Sequence, residues 1–164
     1  MNQSECETAD WYDQGINDGI AGKPSGRYRD YHEDCGEFGV AVDDHAYLSG
    51  WEIGISRYCT ADNGYKTGLA GERYANSCPA ETADSFLSAY QLGYDIREQQ
   101  ERLNALRYQL EQVNDDLARS DISEERRRVL RRDRRHLRDD LRRVEWALRN
   151  AGARARDHGF PAPY

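Results

Sequence analysis

The first half of the chain repeats a pair of neighbouring positions, one small and one large, every four residues. Gly15-Ile16 is followed by Gly19-Ile20, and Gly50-Trp51 is followed by Gly54-Ile55. A period of four is helical, and it places a stripe of small residues beside a stripe of apolar ones. Because glycine costs a helix about 1 kcal/mol relative to alanine, so many glycines indicate close packing between helices. A glycine-lined ligand surface is the alternative.

This pattern, together with its capping residues, predicts a series of short helices in the first half. Asp43 or Asp44 is a suitable N-cap for one of them. Gly22-Lys23-Pro24 is a typical helix end, and Asp62-Asn63-Gly64 is a typical turn. The predicted helices cover residues 7–21, 28–35 and 43–58, residues 60–80 are the least defined part, and a new helix opens at Pro79 and Glu81-Thr82.

From residue 89 onward the apolar positions change to alternate spacings of three and four. This is an a/d heptad pattern sustained over about four repeats, which is typical of a coiled coil. The pattern breaks near Ser120-Asp121, where Asp121 and Glu124 resemble a capping box, and it resumes in a second helix that Gly152 ends. The seam positions are Ala89, Leu92, Ile96, Gln99, Leu103, Leu106, Leu110, Val113 and Leu117, then Leu130, Leu137, Leu141, Val144 and Leu148.

Two heptad helices joined by a tight turn fold back on each other as an antiparallel hairpin. We therefore predict an all-α protein with a small disulfide-linked, Gly/Tyr-rich helical head over residues 1–80. A long antiparallel coiled-coil helical hairpin follows over residues 81–150, with its turn near 119–123. At 1.5 Å per residue its first helix is roughly 55 Å long, so we expect the hairpin to project as an arm. Residues 151–164 are expected to form a disordered tail.

Four cysteines lie in the first half of the chain: Cys6, Cys35, Cys59 and Cys78. Their even number and the lack of any C-x-x-C pair favour a disulfide framework in an oxidising compartment over a zinc site or free thiols. Four cysteines allow three pairings. We prefer Cys6–Cys35 with Cys59–Cys78, because these pairs close the shorter loops.

Composition explains why covalent links are needed. Only 38% of residues are hydrophobic and 32% are charged, and there are 3 Phe but 11 Tyr. Tyrosine combines apolar area with a polar tip, so it suits a thin core that disulfides stabilise. Residues 1–95 carry 6 basic and 17 acidic side chains, whereas residues 96–164 carry 17 and 13. The acidic half suits a basic partner.

The start of the chain bears on its compartment. No apolar run reaches the length of a transmembrane helix, and the polar Met1-Asn2-Gln3-Ser4 is not a signal peptide. We expect a mature form whose targeting segment is replaced by a start methionine. A cytoplasmic scaffold is the alternative if the native chain begins at Met1.

One spacing of aromatic, glycine and cysteine positions is specific enough to suggest a family. It comprises Cys6, Asp10-Trp11, Gly15, Asp18-Gly19, Gly22, His32, Cys35, Tyr47, Gly50, Gly54, Tyr58-Cys59, Gly64, Gly68, Gly71, Tyr74, Cys78, Phe86, Tyr90 and Gly93. Over residues 5–150 the chain resembles an uncharacterised bacterial lipoprotein family, domain of unknown function 2799. The resemblance implies a periplasmic, lipid-anchored protein with no assigned activity. We expect this form of the chain to lack that family's signal and lipid-bearing cysteine.

The segment Tyr31-His32-Glu33-Asp34-Cys35 is the strongest candidate for metal or catalytic chemistry, because it combines a histidine, a cysteine and carboxylates. Zinc requires four ligands, however, and His32 and Cys35 have no second pair of matching spacing. A disulfide-bonded Cys35 is neither a ligand nor a nucleophile. No nucleophile elbow, phosphate loop, zinc-protease helix or EF-hand loop occurs. We therefore predict no catalytic residue, no metal, no cofactor and no enzymatic activity.

An arginine run follows the hairpin turn, with 11 Arg against 6 acidic residues between Ile122 and Arg149. We interpret it as the solvated face of a coiled coil with i,i+4 ion pairs. A surface for anionic polymers is the alternative. The arginines are expected all around the helix, and no aromatic residues interleave with them, so nucleic acid is not a predicted partner.

The candidate binding surface of the head is a set of aromatic residues with one acid. Its members are Trp11, Asp18, Trp51, Tyr58, Tyr65 and Tyr74. Packing of these aromatic rings and of Tyr12 in the core is the favoured interpretation, and an aromatic platform for glycans is the alternative.

Together these features predict a noncatalytic periplasmic or cell-envelope protein that binds a protein or cell-wall component through its head. The arm acts as a spacer or as a homo-oligomerisation element through residues 89–148, because a two-helix hairpin leaves apolar seam edges exposed. Membrane attachment is expected only through a lipid anchor absent from this form. Two alternatives stay open: an inhibitor or immunity-type protein that caps a basic envelope hydrolase, and a hydrolase or metal-dependent enzyme centred on His32.

Overall fold

A computed structural model describes residues 1–162 of the chain, and within them the fold is all-α, as predicted. Besides one short 3-10 turn at Ser25–Arg27, the elements are seven helices in this part of the chain. They are α1 (Gln3–Thr8), α2 (Trp11–Ile20), α3 (Tyr28–Gly36), α4 (Asp44–Tyr58), α5 (Ala61–Ala70), α6 (Ala80–Ala118) and α7 (Glu124–Asp157).

Local capping decides where the helices of the head begin. The single helix predicted over 7–21 is wrong, because the Asp10 side chain accepts hydrogen bonds from the backbone N–H groups of Tyr12 and Asp13 and so starts α2. The predicted cap of α4 is confirmed as Asp43, which accepts from the N–H of Ala46 at 2.9 Å.

The least defined segment also contains a helix. The predicted turn at Asp62-Asn63-Gly64 is wrong, because Thr60 accepts from the N–H of Asn63 and starts α5. Gly71 ends α5 with a left-handed backbone (φ 69°), a conformation that suits glycine at a helix end.

The two disulfides join the predicted partners. Cys6 of α1 is bonded to Cys35 of α3, with 5.5 Å between their Cα atoms, and Cys59 is bonded to Cys78 across 5.6 Å. Both distances are ordinary for disulfides. The first link therefore fixes α1 to α3, and the second fixes the end of α4 to the segment that precedes α6.

The chain divides into two compact units, Met1–Gln91 and a second that begins at Leu92. This division falls after the predicted boundary at residue 80, because the first turns of α6 are part of the core of the head. Phe86 is fully buried and its ring lies 5.1 Å from that of Tyr58. Gly64 of α5 is so close to α6 that a Cβ there would lie 2.4 Å from the Phe86 carbonyl oxygen.

The second unit is the predicted antiparallel hairpin. Ile96 and Leu103 of α6 are buried, as are Leu130, Val144 and Leu148 of α7. Three ion pairs join the two helices, and each later residue of α7 meets an earlier one of α6, which is the antiparallel order. They are Asp116–Arg126 at 3.4 Å, Arg107–Glu145 at 3.7 Å and Asp95–Arg154 at 2.9 Å.

The C-terminal part of α7 differs from expectation. The helix continues through Gly152 to Asp157, so the predicted disorder is wrong for residues 151–157. Ala151, Gly152 and Ala155 are buried, because small residues at this spacing allow close packing. The turn is capped by Ser123, which accepts from the N–H of Arg126, and not by Asp121. Residues 163 and 164 of the predicted tail lie outside the described residues.

Candidate functional site

Glycines bring α2 and α4 into backbone contact, as the period-four pattern predicts. A Cβ on Gly15 would lie 2.0 Å from the carbonyl oxygen of Tyr47, and one on Gly50 would lie 2.0 Å from that of Tyr12. Gly54 faces the Ile16 carbonyl in the same way, at 2.2 Å. No residue with a Cβ fits these distances, so packing accounts for the glycines.

The two helices run parallel, and this decides which of their apolar residues are buried. Gly15 lies against Tyr47 and Trp51, whereas Gly19, one turn later, lies against Trp51 and Ile55. In a parallel pair, the residues that directly follow the contact positions fall on opposite sides of the two helices. Ile55 is therefore 2% exposed, whereas Ile20, at the equivalent place on α2, is 45% exposed.

On the inner side of this pair lies a buried carboxylate, that of Asp18, which is 1% exposed. Its Oδ2 accepts hydrogen bonds from the hydroxyls of Tyr31 at 2.8 Å and Tyr47 at 2.9 Å. Its Oδ1 accepts from the Lys23 ammonium at 2.8 Å, and the Gln14 amide donates to the Tyr31 hydroxyl at 2.9 Å. This Asp18 network thus joins α2, α3 and α4 through polar contacts.

The Asp18 network changes the acidity of its tyrosines. Burial, followed by the hydrogen bond to the Asp18 carboxylate, raises the pKa of both Tyr31 and Tyr47. The same hydrogen bond requires the neutral hydroxyl, because tyrosinate has no proton to donate to a carboxylate. These groups therefore act as fixed donors at neutral pH, and the arrangement stabilises the head.

A second aromatic cluster lies beside Cys78 of the Cys59–Cys78 disulfide. The ring of Phe86 lies 4.8 Å from that of Tyr74 and 6.4 Å from that of Tyr90. The Tyr74 hydroxyl accepts from the N–H of Cys78, and the Tyr90 hydroxyl donates to the Glu72 carbonyl, both at 3.0 Å. Burial raises the pKa of Tyr58, the fourth ring of this cluster. The polar tips of these tyrosines are thus used inside the head.

The predicted binding surface of the head does not form. Trp11, Asp18 and Tyr65 are only 8%, 1% and 2% exposed, so they are core residues and are not accessible to a partner. Trp51 is half-buried and its indole N–H donates to the Lys23 carbonyl at 2.8 Å. Tyr58 and Tyr74 are also half-buried, against Phe86. Packing in the core, the interpretation favoured from the sequence, accounts for these aromatic residues.

The outer side of α2 and α4 instead carries an exposed apolar face, which we call the outer face. Tyr12, Ile20 and Ile53 are 38%, 45% and 39% exposed, and Ile16 is partly exposed between them. Tyr12 and Ile16 border the contact with Gly50, and Ile53 lies on the same turn as Gly54. The sequence analysis named Tyr12 but missed the isoleucines of this face. The available signal was that Ile16 and Ile20 directly follow the α2 glycines, because residues in that position on α2 point outward when the two helices are parallel.

The His32 segment forms no metal or catalytic constellation. The His32 Nε2 lies 2.5 Å from Asp44 Oδ1, and both side chains are about half exposed. Cys35 is bonded to Cys6, so it has no thiol for nucleophilic chemistry. Among residues 1–162 there is no group of three His, Cys, Asp or Glu side chains that could hold a metal ion.

Arginines are exposed on several sides of α7, and six of them form one stripe along the helix. Spacings of three, four and seven place the stripe on one face. Within the described chain, only Arg142 of this stripe has an ion-pair partner, Asp139. Its members are Arg128, Arg131, Arg135, Arg138, Arg142 and Arg149.

No described helix is long and apolar enough to cross a membrane.

The fold and its contacts define a small all-α protein in which a disulfide-linked head is continued by a helical hairpin. The chain belongs to the family described as "Protein of unknown function (DUF2799)", whose model matches residues 10–95. This match covers most of the head and little of the hairpin. The "Uncharacterized protein YfiL" of Escherichia coli (strain K12) is 32% identical over 101 residues, covering 59% of this chain and 76% of that protein. No solved structure matches the chain.

Proposed function

We propose that the protein is a noncatalytic binding protein of the cell envelope that recognises another protein through the outer face of its head. The hairpin serves as a spacer or as a self-association element. The observation that carries this proposal is the exposure of Tyr12, Ile20 and Ile53 on a helix pair whose backbones are locked together. A preorganised apolar face loses little conformational entropy on binding, which favours association.

Charge indicates the chemistry of the partner. Residues 1–91 carry 6 basic and 16 acidic side chains, so the head has a net charge of −10. Asp13 directly follows Tyr12, and Glu52 directly precedes Ile53; both acidic side chains are exposed. We therefore propose a protein partner with an apolar centre and a basic rim, because complementary potentials accelerate encounter and disfavour other partners.

Cysteine pairing supports the proposed compartment. All four cysteines of the chain are disulfide-bonded, which is typical of an oxidising environment such as the periplasm. We propose a periplasmic location, with a lipid anchor on the native form. Thiol trapping of the protein in intact cells tests the compartment: fully oxidised cysteines are expected, and four reactive thiols would contradict it.

Photo-crosslinking in cells tests the outer face. The full chain carries a photoreactive amino acid at Ile53 or at Ile20, and a matched control carries it at Lys66, an exposed residue of α5. We expect the same adduct from both outer-face positions and none from Lys66. Adducts of equal yield at all three positions would contradict a specific face.

The captured protein is then purified and its affinity measured. Ile53→Asp is expected to weaken binding by roughly tenfold or more, because it buries a carboxylate in an apolar contact. The affinity of the unaltered protein should also fall as salt rises, since the proposed rim is electrostatic. An affinity that changes neither with Ile53→Asp nor with raised salt would contradict the proposal.

A second candidate of the same class is an inhibitor or immunity-type protein that caps a basic envelope hydrolase. The net charge of −10 on the head favours it. It predicts that the captured partner is a hydrolase whose activity falls on stoichiometric addition of this protein. A captured partner whose activity is unchanged would contradict the inhibitor proposal and favour the first candidate, a binding protein.

A further inference from the structure

Two adjoining hollows lie between α6 and α7 on one side of the hairpin. They have volumes of about 520 and about 290 Å³, and both are lined by Gln99, Trp146 and Ala147, so they form one groove. Trp146 stands between them and is 63% exposed. An indole with this much exposure on a rigid helical element is an unusual use of a large apolar side chain.

The two ends of the groove carry opposite charge. Arg102, Arg142, Arg143 and Asp140 line the larger hollow, whereas Asp95, Glu98 and Arg154 line the smaller one. Most of these groups are already paired within the hairpin, Arg143 with Asp140 and Asp95 with Arg154. Within residues 1–162, Arg102 and Glu98 have no ion-pair partner, although they lie four residues apart on α6.

A charge pattern of this kind is complementary to itself. A twofold axis near Trp146 would exchange the two ends of the groove, so that Arg102 of one copy would meet Glu98 of the other and the reverse pair would form at the same time. The two indoles would meet between these pairs, beside Ala147, which is partly exposed and lines both hollows. A contact in which each copy uses the same patch is the usual geometry of a homodimer.

We propose that the Trp146 groove binds a second copy of this chain, so that two hairpins pack as a four-helix assembly about a twofold axis. Four-helix packing covers the seam that a single pair of helices leaves open. The occupant is a second copy because the same groove supplies both members of each ion pair. This inference is independent of the partner of the head, since it involves only α6 and α7.

Sedimentation velocity of the full chain over a roughly hundredfold range of concentration tests the proposal. We expect a monomer–dimer equilibrium that Trp146→Ser weakens by roughly tenfold or more. Tyr108→Ser is the matched control, because Tyr108 is 64% exposed on α6 but does not line the groove. A monomer at every concentration, or a dimer equally sensitive to both substitutions, overturns the proposal.

A charge exchange then tests the symmetric pairing. Glu98→Arg alone or Arg102→Glu alone places like charges opposite each other twice per dimer, and each is expected to weaken dimerisation by roughly tenfold. The double variant restores opposite charges without changing the net charge, so its dimer should recover to within about threefold of the original. Circular dichroism verifies that each variant is folded. A double variant as weak as the single variants overturns the twofold arrangement.

Discussion

At the scale of single residues, Asp18 is the polar centre of the head. A buried carboxylate is tolerated when its oxygens are saturated with donors, and Asp18 accepts hydrogen bonds from α3, from α4 and from Lys23 in the segment after α2. Tyr31 and Tyr47 each contribute a hydroxyl to it and an aromatic ring to the surrounding core. The Asp18 network therefore specifies how α2, α3 and α4 fit together.

Removing this carboxylate should be costly. Asp18→Ala leaves two buried tyrosine hydroxyls without their acceptor, and we expect the free energy of unfolding to fall by about 3 kcal/mol. Asp30→Ala is the matched control, since Asp30 forms only an exposed i,i+3 pair with Arg27 and should change stability by no more than about 0.5 kcal/mol. Urea unfolding of the full chain measures both, and equal losses would show that the network has no special role.

Tyrosine ionisation reports on the same network. The pKa values of Tyr31, Tyr47 and Tyr58 lie above the ordinary 10.0 in the folded protein. Their neutral forms therefore contribute stability that is fully present below pH 10 and is lost as the pH rises towards the folded values. Alkaline titration followed by tyrosinate absorbance should show a late phase, which Tyr47→Phe diminishes and Tyr108→Phe leaves intact. A single phase in the folded protein would contradict this.

The partners of Asp18 were beyond sequence analysis for a physical reason. Tyr31 and Tyr47 lie 13 and 29 residues from it, and contacts between such distant side chains leave no periodic pattern in the chain. Gly152 shows a different limit. The local sequence does not distinguish a glycine that ends a helix from a glycine that is buried within one. Only packing against neighbouring elements decides between these two roles.

At the scale of elements, the parallel order of α2 and α4 sorts their apolar residues into core and surface. The period-four pattern predicted helices in contact, but it did not specify their direction, which depends on how the chain returns between them. The heptads were more informative, because a seam repeated over many turns has only one way to be buried. The hairpin of α6 and α7 was therefore predicted well, and the arrangement within the head was predicted only in part.

Equivalent substitutions on α2 and α4 test this sorting. Ile55→Ala removes a side chain that is 2% exposed and should lower the free energy of unfolding by about 3 kcal/mol. Ile20→Ala, at the equivalent position after a contact glycine, should change it by less than about 1 kcal/mol, because Ile20 is 45% exposed. Thermal unfolding of the two variants provides the comparison. Similar losses would mean that both residues are in the core and that the outer face does not exist.

At the scale of the whole molecule, the head and the hairpin are stabilised by different means. The head depends on disulfides, aromatic clusters and glycine contacts, whereas the hairpin depends on a continuous apolar seam with ion pairs between its helices. Opposite charge accompanies this division, since residues 1–91 are acidic and residues 92–164 carry 17 basic and 14 acidic side chains. The two parts can therefore respond differently to the same condition.

Reductant should separate their contributions. The two disulfides span 29 and 19 residues, and loops of this length correspond to about 3–4 kcal/mol each. We expect reduction of the full chain to lower the unfolding temperature of the head markedly while most of the helical circular dichroism, which the hairpin supplies, remains. The Cys59→Ser, Cys78→Ser double variant, which keeps one disulfide, should unfold at a temperature between those of the oxidised and the fully reduced protein. Unchanged melting after verified reduction would show that the disulfides are dispensable.

The connectivity of the cysteines also has a consequence for biogenesis. Each bond joins two cysteines that are consecutive along the chain, Cys6 with Cys35 and Cys59 with Cys78, and neither loop encloses a cysteine of the other. An oxidant that joins thiols in their order along the chain therefore produces the native set directly. We expect refolding of the reduced protein to the native pairing to require an oxidant but no isomerase.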